Sequence, residues 1–141
     1  MVDKTTSELQ QELMEQPNIK AYLHNNQSFF SKIELLELLE TLLKQSRLTK
    51  AEIARRSGMS DVYLYQVLAG RRNPSRDRLL SLCVGLGATL DETQQILRQG
   101  GWAQLYPRLR RDAIIIHGLV HRHELRRIND TLFAENEKTL S

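Results

Sequence analysis

The sequence has little of what several protein classes require. It contains one cysteine, so it cannot form an internal disulfide, and this usage fits a reducing cytoplasm. No apolar run reaches the roughly 18–20 residues that a membrane-spanning helix needs. The N-terminus also lacks a signal-peptide pattern. We therefore expect a cytoplasmic protein that does not associate with a membrane.

Signatures of catalysis and of metal binding are missing as well. No serine or cysteine stands in a nucleophile elbow, there is no glycine-rich phosphate loop, and the carboxylates are scattered over charged helix faces. His117, His121 and His123 lie close together, but no carboxylate or cysteine follows at a metal-ligand spacing. Cys83 falls on an apolar stripe and is expected to be a buried, inert thiol. These features predict a protein that is not an enzyme and binds no cofactor and no metal.

Positive charge is concentrated in the middle of the chain. Residues 1–43 hold three basic and seven acidic residues, a balance of −4. Residues 44–79 hold nine basic and three acidic residues, a balance of +6. Residues 80–141 hold eight basic and seven acidic residues, a balance of +1. The three segments together give the net charge of +3. A basic segment of this kind attracts polyanions, most commonly nucleic acid, although a solvated arginine-rich helix face is the alternative.

The apolar pattern has the period of helices, and no stretch alternates with the period of a strand, so we predict an all-α fold. Residues 1–30 are expected to form an acidic, partly flexible arm, because residues 1–16 are polar and Pro17 interrupts any helix there. This arm has two alternative uses. It either solubilises the protein, or docks on a basic partner or on the basic middle segment of this chain.

Helix start and stop signals divide residues 31–100 into five helices. Serine and threonine caps, some with a glutamate three residues later, mark the starts at Ser31, Thr49, Ser60, Ser75 and Thr89. Glycines mark the stops at Gly58, Gly70, Gly85 with Gly87, and Gly100 with Gly101. Between these signals, apolar residues recur at helical spacing, which predicts one helical core.

Residues 101–141 are expected to form a C-terminal helical subdomain. Pro107 suits a first helical position, and Ala113–Val120 is too apolar to be an ordinary exposed helix. Another helix should follow, with the apolar residues Leu125, Ile128, Leu132 and Phe133, and a frayed tail is expected from Glu135. The apolar faces either cap the preceding domain within the chain, or form a homodimer contact through Trp102–Phe133.

The segment TKAEIARRSGMSDVYLYQVLAG, residues 49–70, joins two short helices through a tight turn. Gly58 supplies the small residue that such a turn needs, and Ala54 is small where the second helix passes close above it. Leu64 and Val67 hold the second helix against the core. Its opposite face is then left exposed.

Residues from about 42 to 92 resemble the helix-turn-helix domain of the Xre/Cro-like repressor family. The parts that match are LTKAEIARRSGMS, YLYQVLAGRRNPS and LLSLCVGLGATLDE. The resemblance implies a lambda-repressor-like domain of five helices within residues 31–100. It also implies that a recognition helix at about residues 61–69 enters the major groove of double-stranded DNA. The implied function is sequence-specific binding by a bacterial or phage transcriptional repressor that acts as a dimer.

The resemblance also implies the contact residues. Gln66 can pair with adenine, Asp61 can accept from the cytosine amino group, and Val62 can contact a thymine methyl. The full set of expected base contacts is Ser60, Asp61, Val62 and Gln66. Phosphate contacts, which position the protein without reading sequence, are expected from Lys50, Tyr63, Arg71, Arg72 and Arg76.

One residue favours a different class of function. Asp61 places a negative charge where the phosphates of DNA repel it, although the positive end of a helix dipole tolerates it there. The alternative is therefore a protein-interaction module, such as an antitoxin or an adaptor, that reuses the helix-turn-helix fold.

Overall fold

The computed structural model describes residues 4–26 and 32–141, and the chain divides into two compact units, Met1–Phe30 and Ser31–Ser141. The described residues form nine helices and no strand, which confirms the all-α prediction. None of these helices combines the length and the apolar character needed to cross a membrane. The helices are α1 (Thr6–Glu15), α2 (Ile19–Asn25), α3 (Lys32–Ser46), α4 (Lys50–Arg56), α5 (Asp61–Leu68), α6 (Arg76–Leu86), α7 (Leu90–Gln99), α8 (Arg110–Val120) and α9 (Leu125–Ala134).

The first unit contains two helices where no helix was predicted. A capping box starts α1, because Thr5 Oγ1 accepts from the Glu8 backbone N–H and Glu8 accepts from the Thr5 N–H, both at 3.1 Å. Pro17 stands after the end of α1, so it does not interrupt that helix. The prediction that residues 1–16 contain no helix is therefore wrong.

A buried amide links the two helices of the first unit. Asn26 donates to Glu12 Oε1 at 3.0 Å and accepts from Lys4 Nζ at 2.8 Å. Lys4 Nζ also lies 2.6 Å from Glu12 Oε2. The hydrogen bonds from Lys4 and Asn26 hold the pKa of the Glu12 carboxyl below its usual range.

Helices α3 to α7 follow the predicted order in the second unit. Thr49, Ser60, Ser75 and Thr89 each accept a backbone N–H at the start of α4, α5, α6 and α7. Ser31 lies outside the described residues, so its predicted cap cannot be placed. At Thr89 both hydrogen bonds of a capping box form. At Thr49 the hydroxyl donates to the Glu52 carboxylate, and this carboxylate does not accept from the Thr49 backbone N–H. The core side chains Ile53, Ala54, Leu64, Leu79, Leu80, Ile96 and Leu97 are fully buried.

Gly85 was predicted to end α6 together with Gly87, but it lies inside the helix. The helix ends at Gly87, whose φ of 68° is the left-handed conformation of a glycine cap. A Cβ atom at Gly85 would lie 1.9 Å from Ser57 Oγ and 2.9 Å from Ser57 Cβ. Glycine is required at this position because α6 packs directly against the end of α4.

We expect Gly85→Ala to lower the free energy of unfolding by about 1–3 kcal/mol, because a methyl group must displace Ser57. Ser57→Gly in the same chain should restore part of the loss, since it removes the two closest side-chain atoms. Urea unfolding of the two single variants and the double variant measures the coupling. Additive effects of the two substitutions would contradict this account of the contact.

Helices α8 and α9 share the core of α3 to α7, so the boundary predicted near residue 100 does not separate two subdomains. Ile115 and Leu132 are fully buried, and Ile114 and Ile116 are half-buried against the same core. A Cβ atom at Gly118 would lie 2.4 Å from Ile128 Cγ1, so α8 and α9 cross closely there. Most of the apolar run is therefore covered within the chain, whereas 56% of Val120 at its end is exposed.

Two expectations for the C-terminal residues are wrong, those for Pro107 and for the tail. Pro107 is not the first residue of a helix, because α8 begins three residues later at Arg110. Phe133 lies on the outer side of α9, where 77% of it is exposed. The tail is held, not frayed, because Leu140 is buried and its N–H donates to Asn129 Oδ1 at 2.8 Å.

Candidate nucleic-acid interface

The turn between α4 and α5 is built as its sequence indicates. Gly58 has a φ of 65°, and the Met59 N–H behind it donates to Ala54 O at 3.0 Å. A Cβ atom at Gly58 would lie 3.1 Å from Leu125 Cδ2. Ala54 is fully buried beneath the crossing. Both the backbone conformation and the close approach of α9 therefore favour glycine at this turn.

Helix α5 has one anchored face and one exposed face. Leu64 and Val67 are buried, whereas 67% of Val62 and 59% of Tyr65 are exposed. Asp61, in the first turn, is exposed and forms no ion pair with any described residue. Exposed apolar side chains on a helix beside basic residues are suited to contacts with bases.

Ser60 and Gln66, two of the predicted base contacts, already have partners. Ser60 Oγ accepts from the Tyr63 N–H at 3.0 Å and so caps α5. Gln66 Oε1 accepts from Arg72 Nε at 3.0 Å. The backbone oxygen of Gln66 also accepts from the Arg71 N–H at 2.8 Å. The chain after α5 therefore folds back on the helix and brings Arg72 against Gln66.

Arg71 and Lys50 remain candidates for phosphate contacts. Both side chains are exposed, and neither forms an ion pair with a described residue. Lys50 is the first residue of α4, where two effects attract an anion: its own charge and the positive end of the helix dipole.

Tyr63 is less available for a phosphate contact than its sequence position indicated. Its side chain is half-buried against the core, and the Arg78 guanidinium carbon lies 4.9 Å from its ring centroid. This distance is that of a cation–π contact. Sequence reasoning missed this contact, because Tyr63 and Arg78 lie on different helices and no local spacing relates them.

Arg76, which the resemblance assigns to a phosphate contact, is held by partners within the chain. Its Nη2 lies 3.1 Å from Asp112 Oδ2, and its Nε donates to Ala103 O at 2.8 Å. Asp112 is 3% exposed and also accepts from the Tyr106 N–H at 2.9 Å. The Arg76 guanidinium is therefore a structural link between α6 and the segment that leads into α8.

Cys83 and the three histidines His117, His121 and His123 lie apart from the exposed face of α5. Burial raises the pKa of the Cys83 thiol to about 12, so the reactive thiolate is scarce at neutral pH. The ring centroids of His117 and His121 lie 4.2 Å apart, with His123 at 5.6 and 5.9 Å from them. Desolvation and then the neighbouring Arg127 lower the pKa of His123. Within residues 4–26 and 32–141, no group of three potential ligands is arranged to hold a metal ion.

Comparison with protein families agrees with this geometry. Residues 34–96 match the model of a family described as a helix-turn-helix domain. Neither the curated proteins nor the solved structures give a significant match. The matched residues extend from α3 into α7 and include the turn at Gly58. The chain therefore carries a helix-turn-helix domain, and the narrower Xre/Cro-like assignment stays a prediction.

Proposed function

We propose that this protein is a sequence-specific, double-stranded DNA-binding repressor of the Xre/Cro-like kind. It would act in the cytoplasm of a bacterium or from a phage genome, without catalysis and without a cofactor. One observation carries the proposal: α5 is anchored by Leu64 and Val67, exposes Val62 and Tyr65, and is followed directly by Arg71 and Arg72. This is the arrangement of a recognition helix with phosphate-binding residues at its end.

Gln66 is the residue we assign to base recognition. Its Oε1 accepts from Arg72 and has a second lone pair for the amino group of adenine, while its amide nitrogen can donate to adenine N7. The bond from Arg72 fixes the orientation of the amide before DNA arrives. Exposed Tyr65, which the sequence analysis did not include among the contacts, is a better candidate than half-buried Tyr63.

Selection of bound duplexes from a random library, followed by fluorescence anisotropy, tests the proposal with the full chain. The selected duplex should bind more tightly than a scrambled one. Its log K should fall against log salt by about 0.9 per phosphate contact. Equal binding to both duplexes would contradict sequence recognition. A palindromic selected site would support the proposed homodimer, since a two-fold dimer presents two copies of α5 to half-sites one helical turn apart.

Gln66→Ala should abolish discrimination at one base pair of the selected site. We expect the preference for adenine there to fall by about 1–3 kcal/mol, or roughly 5- to 150-fold, with little change in the salt dependence. Gln95→Ala, which removes an exposed glutamine from α7, is the matched control. Unchanged preference at every position of the duplex in the Gln66 variant would remove Gln66 from the base contacts.

The protein-interaction module is the second proposal, and Asp61 is the observation that favours it. Its exposed carboxylate lies beside the apolar Val62 and forms no ion pair within the part of the chain that the structure describes, a combination suited to a basic protein partner as well as to a cytosine. Absence of DNA binding even at low salt would favour this function over the repressor.

A further inference from the structure

An open cavity of about 830 Å³ lies between the end of α4 and the turn that joins α8 to α9. Its lining includes Arg55, Arg56 and Gly58 on one side and residues 122–126 on the other. None of the lining residues belongs to α5 or to residues 69–75. The cavity is therefore distinct from the proposed base-reading surface, although Gly58 is part of the turn that leads into α5.

The lining of the cavity carries a net positive charge. Four arginines, Arg55, Arg56, Arg122 and Arg126, line it, and none of them forms an ion pair with a described residue. Two side-chain carboxylates, Glu124 and Asp130, also line it, which leaves a side-chain balance of +2. Leu119 and Leu125 supply a buried apolar wall. A concave site next to low-dielectric protein concentrates the field of such charges.

We propose that this cavity binds the phosphate group of a small phosphorylated molecule. Guanidinium groups bind phosphate oxygens through paired, charge-assisted hydrogen bonds, and four arginines line this cavity without an ion-pair partner among the described residues. The apolar wall provides a surface for the uncharged part of the molecule. A free ligand suits a concave site better than a DNA backbone, because the exposed face of α5 contributes nothing to the lining.

Isothermal titration calorimetry of the full chain with inorganic pyrophosphate tests the proposal. We expect one pyrophosphate site per chain. The double variant with Arg55→Ala and Arg126→Ala should bind pyrophosphate at least roughly tenfold more weakly. The matched control is Arg98→Ala with Arg127→Ala, which removes two exposed arginines outside the cavity and should retain the affinity. Asp130→Asn removes a negative charge from the lining and should strengthen pyrophosphate binding by roughly twofold or more. Misfolding would weaken binding, so it cannot explain such an increase.

Two results would overturn the proposal: no binding by the native chain, or equal weakening in the cavity and control variants. A further titration, on protein saturated with its selected duplex, distinguishes two sources of the phosphate. Pyrophosphate that still binds shows a site for a free phosphorylated molecule. Loss of pyrophosphate binding on the saturated protein would show that the cavity holds backbone phosphates of DNA, and it would overturn the assignment to a free molecule as well.

Discussion

Replacing Arg71 and Arg72 together by alanine is expected to weaken binding to the selected duplex roughly 60-fold at 0.1 M salt. Each lost phosphate contact should lower the slope of log K against log salt by about 0.9. Over the tenfold range from about 0.1 to 1 M salt, two contacts therefore contribute nearly two decades of affinity. Both side chains are exposed at the end of α5. Fluorescence anisotropy at several salt concentrations measures the affinity and the slope together.

The two single variants should differ, because the structure gives the two arginines different surroundings. Arg71→Ala should weaken the selected and the scrambled duplex equally, since the exposed Arg71 side chain forms no ion pair with a described residue. Arg72→Ala should also reduce sequence discrimination, because it releases Gln66 Oε1 from its 3.0 Å hydrogen bond. Arg98→Ala, an exposed arginine on α7, serves as the charge-matched control. A salt slope unchanged in the double variant would contradict the phosphate assignment.

The parts of the fold that the sequence predicted correctly depend on interactions between near neighbours. A cap joins residues two or three positions apart, and the left-handed conformation at Gly58 is a property of that residue and its turn. Burial of Leu64 and Val67 follows from helical spacing alone. For the same reason α4, α5 and the turn between them could be predicted without knowledge of the rest of the chain.

Several features of the second unit that the local patterns missed depend on contacts between residues that are distant in the chain. Arg76 lies in a basic segment and resembles the arginines before it, but its partner Asp112 is 36 positions away. Gly85 looked like a helix stop because its reason for being glycine, Ser57, lies on another helix. Local patterns do not contain such pairings, since they arise only when the helices pack. The same limit applies to two C-terminal residues. Packing buries Leu140 in the tail and leaves the aromatic Phe133 exposed.

Asp112→Ala should be among the most destabilising single substitutions in the chain, with a loss of about 3–5 kcal/mol in the free energy of unfolding. The Asp112 side chain is 4% exposed and that of its partner Arg76 is 21% exposed, so removing the carboxylate leaves a mostly buried guanidinium without its counter-charge. The Tyr106 N–H loses its acceptor as well. Urea unfolding of the full chain measures the loss. Asp130→Ala, on an exposed position of α9, should change stability by no more than about 0.5 kcal/mol.

Two further variants separate the charge from the hydrogen bonds. Asp112→Asn keeps an oxygen acceptor and nearly the same volume, so it should cost less than Asp112→Ala, and equal losses would show that the hydrogen bonds to this side chain contribute little. Arg76→Met combined with Asp112→Leu removes both charges together. This double variant should be more stable than Asp112→Ala, because no buried charge is left unpaired. If the double variant is instead the least stable of the three, the ion pair between α6 and α8 stabilises the fold by itself, beyond the cost of leaving either partner alone.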